Sequence, residues 1–342
     1  MMLKPLKISY GNNNIWEYIN PKNNDYFSKM NEIEIKELLY YLDDYYLDYR
    51  DTLNLDSNTT FGVELEYEEI SYKAIEKILY KEELYDWLSK KDLSISIGGE
   101  VISPILRDNL KKWQELKRTC NILNEYAKTL DHSSTHVHVG AHILGDDPKN
   151  LLNFIKLWSA YESIIFHFSY GEHLSARPII NMYSSRLKEI FYADYHKAKH
   201  KSVEEILYLV AHRRTQAVNF NNLTSLKEIK PKNTIEFRCP NGTFDPVICQ
   251  NNINLFTKLL KYARNSNFNE DIVDRSFKNN LNLRDYDIIN LKEALELVDL
   301  IFDNNLDKIY FLRQYLKFSL TGHSFIKMSP PFTKYTLTKK KL

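Results

Sequence analysis

Four short segments set side chains capable of metal binding or acid–base chemistry at alternate positions. Phe61-Gly62-Val63-Glu64-Leu65-Glu66-Tyr67-Glu68 alternates apolar and acidic residues, and Thr135-His136-Val137-His138-Val139-Gly140 alternates valine with histidine. Thr234-Ile235-Glu236-Phe237-Arg238-Cys239 sets Ile235 and Phe237 against Glu236 and Arg238. The fourth, Gly98-Gly99-Glu100-Val101-Ile102-Ser103-Pro104, carries one carboxylate beside a glycine pair. Side chains two apart on a strand point the same way, roughly 7 Å from each other. The three alternating segments therefore predict strands with one apolar and one chemically active face, and Glu100 joins them from a fourth.

Each pattern alone has an ordinary reading. Glu-x-Glu is usually a solvated strand face, His-x-His a hydrogen-bonded pair, and Glu-x-Arg a surface ion pair of little worth. Together the four segments supply five glutamates, two histidines and an arginine. If the strands share a sheet, their common polar face is a floor of oxygen and nitrogen donors. Carboxylates crowded this closely repel and need cations between them. Oxygen-rich donor sets suit Mg²⁺ or Mn²⁺ better than zinc. Two such ions beside an arginine point to phosphoryl chemistry, the metals neutralising phosphate oxygens and the arginine stabilising transition-state charge. The chain has neither GxxxxGK[ST] nor GxGxxG, so a nucleotide bound here is held by metals and scattered basic residues rather than by a glycine-rich helix entrance.

The elements that must position these residues are predicted between 59 and 265. Helical spacing covers 72–89, and Leu116, Cys120, Leu123, Ala127 and Leu130 mark an amphipathic helix over 106–130. Asp147-Pro148 and Asp245-Pro246 each place an N-cap before a proline at the first helical position. The first opens a helix through His167, the second one carrying Cys249, Ile253, Phe256 and Leu260. Ser202-Val203-Glu204-Glu205 matches a capping box. Further strands are expected over 93–103, 134–142, 217–223 and 234–239. Residues 1–58 read as a helical extension rich in tyrosine (Tyr40, Tyr41, Tyr45, Tyr46, Tyr49), 266–285 as a polar linker, and 291–320 as helix before a basic tail. The expected organisation is a helical extension (1–58), a catalytic domain (59–265) and a C-terminal helical extension with tail (266–342). Polar residues on one face of several strands predict an α+β fold with a mixed or antiparallel sheet.

The ordered set FGVELE (61–66), GGEVISP (98–104), THVHVG (135–140), VNFNNL (218–223) and TIEFR (234–238) resembles the amidoligase family. Those proteins are glutamine synthetase-like carboxylate–amine ligases, related to the glutamate–cysteine ligases. The resemblance covers about residues 59–265 and implies a glutamine synthetase-like domain whose sheet lines an active-site cleft flanked by helices. It implies ATP and Mg²⁺ (or Mn²⁺), phosphorylation of a substrate carboxylate, and attack by an amine to give an amide, ADP and phosphate. By the resemblance, Glu66 and Glu100 match ligands of the metal nearer the substrate. Glu64, His138 and Glu236 match ligands of the metal that orients the ATP phosphates. Arg238 matches an arginine beside the transferred phosphoryl group or substrate carboxylate, with Arg214 and Arg177 as further anion contacts. Asn219 matches a polar position on the same floor. Strand phase lets both His136 and His138 face it, so which one binds metal and which contacts nucleotide or substrate stays open.

Competing readings rest on other residues. His132, His136, His138 and His142 lie within eleven residues, and a zinc hydrolase could use such a cluster, although no HExxH accompanies it. His196 and His200 at i, i+4 fit a solvated helix face, and His212-Arg213-Arg214 a helix end or phosphate contact. Ser103 and Cys239 carry no marks of a nucleophile. A guanidino-type phosphoryl transferase would share the fold without forming an amide. A non-catalytic binding module would instead present its N- and C-terminal helices to a partner protein or a second copy.

Composition narrows the classes further. Across 342 residues, 46 basic and 45 acidic side chains leave a net charge of +1, which argues against gripping nucleic acid through a basic face. Three cysteines (Cys120, Cys239, Cys249) without CxxC fit neither a disulfide framework nor a cysteine-rich zinc module. No run approaches the ~20 apolar residues that span a bilayer, and Met1 to Asn14 has no apolar core for a signal peptide. The expectation is a cytoplasmic enzyme acting on carboxylate and amine substrates, with no nucleic-acid or membrane partner.

Overall fold

The computed structural model describes residues 22–31, 33–35, 49–173, 175–191, 201–211, 214–223, 232–280 and 285–316. Most of the tyrosine-rich segment, His196, His200, His212, Arg213 and the basic tail lie outside the described residues.

Six strands form one open antiparallel sheet: β1 (Phe61–Glu68), β2 (Leu88–Lys90), β3 (Gly98–Ile102), β4 (Thr135–Gly140), β5 (Val218–Asn219) and β6 (Thr234–Phe237), in the order β2-β3-β1-β4-β6-β5. The described helices, in chain order, are α1 (Tyr72–Lys81), α2 (Leu110–Tyr126), α3 (Pro148–Ser169), α4 (Ile180–Tyr183), α5 (Val203–Val210), α6 (Pro246–Ala263), α7 (Glu270–Asn280), α8 (Leu291–Ile301) and α9 (Asn305–Leu316). The protein is α+β, and its sheet is antiparallel throughout.

Alternation does what the pleat requires of it. Val63, Leu65, Val137, Val139, Ile235 and Phe237 are all buried on one face of the sheet. Helices α3 and α6 cover that face: Phe237 stacks on Phe256 at 4.1 Å and lies 5.6 Å from the Trp158 ring. At the other end of β1, Phe61 stacks on Trp113 of α2 at 4.9 Å. The aspartates before both prolines act as N-caps, Asp147 accepting from Lys149 N and Asp245 from Val247 N and Ile248 N. Ser202 and Glu205 form the reciprocal capping box at α5.

Several expectations change: the helix expected over 106–130 is Leu110–Tyr126, and the strands expected over 93–103 and 217–223 are Gly98–Ile102 and Val218–Asn219. The helix after β1 stops at Lys81 rather than running to Ser89, because Glu83 takes a positive φ (61°) and the chain turns into the edge strand β2. There Ser89 turns inward to bond the Tyr67 hydroxyl at 2.7 Å. Residues 270–280, read as linker, are helix: Val273, Ser276, Phe277 and Asn280 share a buried face against α3 at helical spacing. The helix expected over 291–320 is two, broken where Phe302 adopts an extended backbone. Helices α7 to α9 join the same hydrophobic core as the sheet. Among the described residues no helix is long and apolar enough to cross a membrane.

Phe237 is the point where the apolar face meets the helices, directly between Glu236 and Arg238. Replacing it by alanine should cost about 3–5 kcal/mol, read as a lowered midpoint in urea unfolding. A midpoint within error of wild type would mean that the sheet does not depend on this contact.

Candidate active site

Strand pairing carries the chemically active residues into rows on the face opposite the helices. Lys90 on β2 pairs with Glu100 on β3, which pairs with Glu66 on β1. Glu64 pairs with His136 on β4. His138 pairs with Glu236 on β6, which pairs with Asn219 on β5. The approach of β3 depends on its glycines, since a Cβ on Gly98 would lie 2.0 Å from Tyr67 O and one on Gly99 2.4 Å from Lys90 O. No larger residue lets Glu100 sit beside Glu66 in this register.

Hydrogen bonds then give the two histidines different surroundings. His136 is enclosed by the floor: its Nδ1 lies 3.0 Å from Glu64 Oε2 and 3.7 Å from Glu236 Oε1, and its Nε2 lies 2.8 Å from Ser134 Oγ. Ser134 holds Glu66 Oε2 twice, through its backbone N at 2.7 Å and its hydroxyl at 2.6 Å. With its proton directed at Glu66, the Ser134 hydroxyl accepts from His136 Nε2. His138 Nε2 lies 3.2 Å from Glu64 Oε1, the carboxylate oxygen that His136 does not bond.

Electrostatics follow from the crowding. Burial pushes the Glu64 carboxyl up, but hydrogen bonds and charge from His136 and His138 outweigh it and hold the group well below the usual range. Burial likewise works against ionised Glu236, and His136, Arg238 and His138 bring it down overall. Glu100 goes the other way: burial and then the Glu64 charge raise it, with Lys90, 3.0 Å away, only partly compensating. Glu236 is bonded on one oxygen by Arg238 NH1 and on the other by Asn219 Nδ2 at 2.7 Å.

Two clefts open on this floor. The first, about 350 Å³, is lined by Glu66, Glu100, Ser134, Lys90, Lys91 and the three arginines singled out in the sequence, Arg177, Arg214 and Arg238. Arg177 is buried there and braces the backbone behind Arg238, donating to Pro240 O at 2.6 Å and Arg238 O at 3.1 Å. Burial lowers it to about 10, still charged near neutrality. Arg214 is exposed on the rim, and Arg238 Nε reaches Tyr183 O at 3.3 Å. The second cleft, about 470 Å³, is lined by Glu64, His138, Lys232 and an apolar edge of Ile102, Pro104 and Ile105.

One ligand atom each from Glu64, His138 and Glu236 lie within 4.8 Å of one another. Two carboxylates and one imidazole are a hard, oxygen-rich set that fits Mg²⁺ or Mn²⁺. The histidines of the zinc reading do not converge. His132 is exposed with Nδ1 3.9 Å from Glu68, and His142 Nε2 bonds Asn58 O at 2.9 Å. Ser134 and Lys90 are the members of the site that the motifs did not single out. Extending the every-second-residue phase of β4 back from His136 reaches Ser134; Lys90 sits on a strand of three residues that carries too little pattern to recognise.

The geometry separates the two histidines experimentally. His138→Ala should weaken Mn²⁺ binding by more than about 100-fold, whereas His136→Asn, which alters a supporting contact, should weaken it about 10-fold. Manganese EPR titration of the two variants reads the difference, and the opposite ranking would make His136 the ligand.

The chain matches the family model of the amidoligase enzymes over residues 79–260, more than half its length. That stretch includes Glu100, His136, His138, Glu236 and the three arginines, while Glu64 and Glu66 lie on β1 just before it. No curated protein matches the chain. A family match of this extent, in a chain that folds the matched residues onto one sheet face, establishes that the protein belongs to the amidoligase family.

Proposed function

We propose that the protein is an ATP-dependent carboxylate–amine ligase with a glutamine synthetase-like catalytic domain. The observation that carries this reading is the convergence of Glu64, His138 and Glu236 on the sheet face that also lines a cation-bearing cleft and an apolar-edged one. Glu64, His138 and Glu236 would hold one Mg²⁺ or Mn²⁺, and Glu66 and Glu100 a second. Metal bound there supplies positive charge for phosphate oxygens and for the crowded carboxylates.

In this reading the nucleotide base lies against Ile102, Pro104 and Ile105, and Lys232 contributes to phosphate binding. The carboxylate substrate enters the other cleft, where Arg238 and Arg214 draw in its charge and Arg177 keeps the Arg238 backbone in place. A carboxylate oxygen attacks the γ-phosphorus, the bond to the β-phosphate oxygen breaks, and ADP leaves an acyl phosphate. The amine then attacks the acyl carbon, phosphate departs with the bonding pair, and the nitrogen loses a proton to give the amide. Arg238 stabilises the charge that builds on oxygen in both steps. The buried free thiols of Cys120, Cys239 and Cys249 fit a reducing compartment.

Hydroxylamine, which traps acyl phosphates as hydroxamates, tests this directly. Incubation with ATP, Mg²⁺, hydroxylamine and a panel of carboxylates should release ADP and hydroxamate in equal amounts. Arg238→Ala should lower kcat by about 10²–10³-fold. AMP and pyrophosphate as products would exclude the acyl-phosphate route, and ADP without hydroxamate would favour phosphoryl transfer to another acceptor.

A further inference from the structure

His132 and the third carboxylate of β1, Glu68, have no part in the chemistry above. His132 stands in the turn before β4 and lines the cation-bearing cleft. Glu68, at the end of β1, fixes that turn with one oxygen: Oε1 accepts from His132 N at 3.3 Å and from Ser133 Oγ at 2.9 Å. Ser133 is buried, its N donating to Leu130 O and its O accepting from Gly242 N, both at 3.1 Å. The imidazole is therefore carried on a fastened turn, with the side chain 55% exposed. The other Glu68 oxygen, Oε2, lies 3.9 Å from His132 Nδ1. That is too long for a hydrogen bond and short enough to offset charge on the ring. Nε2 is the ring nitrogen away from the carboxylate.

Charge in the cleft sets the problem that such a group solves. Lys90, Lys91, Arg177, Arg214 and Arg238 line it together with three carboxylates, Glu66, Glu100 and Asp92. In the ligase reading Glu66 and Glu100 hold a metal, which makes the balance more positive still. A carboxylate is drawn into such a cleft. An ammonium group is repelled, and it has no lone pair with which to attack an acyl carbon. The amine must therefore shed a proton at the mouth. Four lining side chains could take it. Glu66 already accepts two hydrogen bonds from Ser134, Glu100 is paired with Lys90, and Asp92 accepts from both Ser94 N and Ser94 Oγ. His132 is the one whose side chain makes no hydrogen bond among the described residues, and imidazole both takes up and returns protons near neutral pH.

We propose that His132 is the general base that readies the amine, a role that rests on the ligase reading. Its neutral imidazole takes one proton from the incoming ammonium. The freed lone pair forms the bond to the acyl carbon, and the bond from that carbon to the phosphate oxygen breaks with its electron pair. The second nitrogen proton leaves to solvent as the amide forms. The imidazolium, partnered by Glu68, returns its proton to water through its exposed side.

Two small nucleophiles that differ in protonation test this. At neutral pH ammonia is almost wholly ammonium, whereas hydroxylamine is largely neutral and needs no base to free its lone pair. The full chain and its His132→Asn variant, with ATP, Mg²⁺ and the carboxylate panel, would be given each nucleophile in turn. The ratio of amide to hydroxamate formed should be about 100-fold lower in the variant, and free imidazole should restore it in His132→Gly. Manganese EPR titration should show that His132→Asn keeps wild-type metal affinity. An unaltered ratio, hydroxamate without amide in the wild type, weakened Mn²⁺ binding in His132→Asn, or the same fall in Asp92→Asn instead would each overturn the proposal. The two readings fail differently. No hydroxamate from the wild type with any carboxylate removes the ligase assignment and the base with it; hydroxamate with an unaltered ratio removes the base alone.

Discussion

Repulsion among four carboxylates held on one sheet face is the constraint around which the rest of this protein is arranged. Glu64, Glu66, Glu100 and Glu236 are brought together by strand register, and burial alone would drive such groups to their neutral forms. The fold supplies partial compensation instead. His136 sits between Glu64, Glu66 and Glu236, Arg238 meets Glu236, and Lys90 meets Glu100. His138 adds a contact to the second Glu64 oxygen, 3.2 Å away. In the proposed reading a divalent cation would answer the remaining charge, and phosphate oxygens would be its further ligands.

Holding like charges together requires a stiff support, and the opposite face of the sheet provides it. Fully buried valines, leucines and Phe237 lock the strands against α3 and α6, so the carboxylates cannot drift apart to relieve their repulsion. Residues far apart in sequence complete the site from the loops. Arg177 reaches across to the backbone following β6, and Tyr183 receives Arg238. Rigid strands thus set the donor positions, while the cleft walls, built from the 91–97 loop and the α4 segment, are where substrate preference would be expressed.

Much of the donor set was legible because it lies on strands, where every second residue shares a face. Glu64 and Glu66, His136 and His138, and Glu236 and Arg238 all obey that rule, and the capped helices starting at Pro148 and Pro246 were equally plain. What sequence could not distinguish was the surroundings of each histidine. That depends on Ser134 and Glu66 occupying one side of His136, a matter of register between β1 and β4 rather than of spacing within either. Strand β2 was hidden because three residues carry too little pattern, and α7 because its sparse apolar positions sit among charges and asparagines. The arginines at 177 and 214 were recognised through resemblance, yet only the fold reveals that Arg177 acts on backbone carbonyls while Arg214 stands at the rim.

The central claim is that the polar face of this sheet binds a nucleotide through metal. Anomalous diffraction at the manganese edge, from crystals grown with Mn²⁺ and a non-hydrolysable ATP analogue, tests it most directly. The account predicts a manganese peak bounded by Glu64, His138 and Glu236, with the nucleotide phosphates against it and the base towards Ile102 and Pro104. Manganese bound elsewhere, or a nucleotide seated away from these three residues, would contradict it.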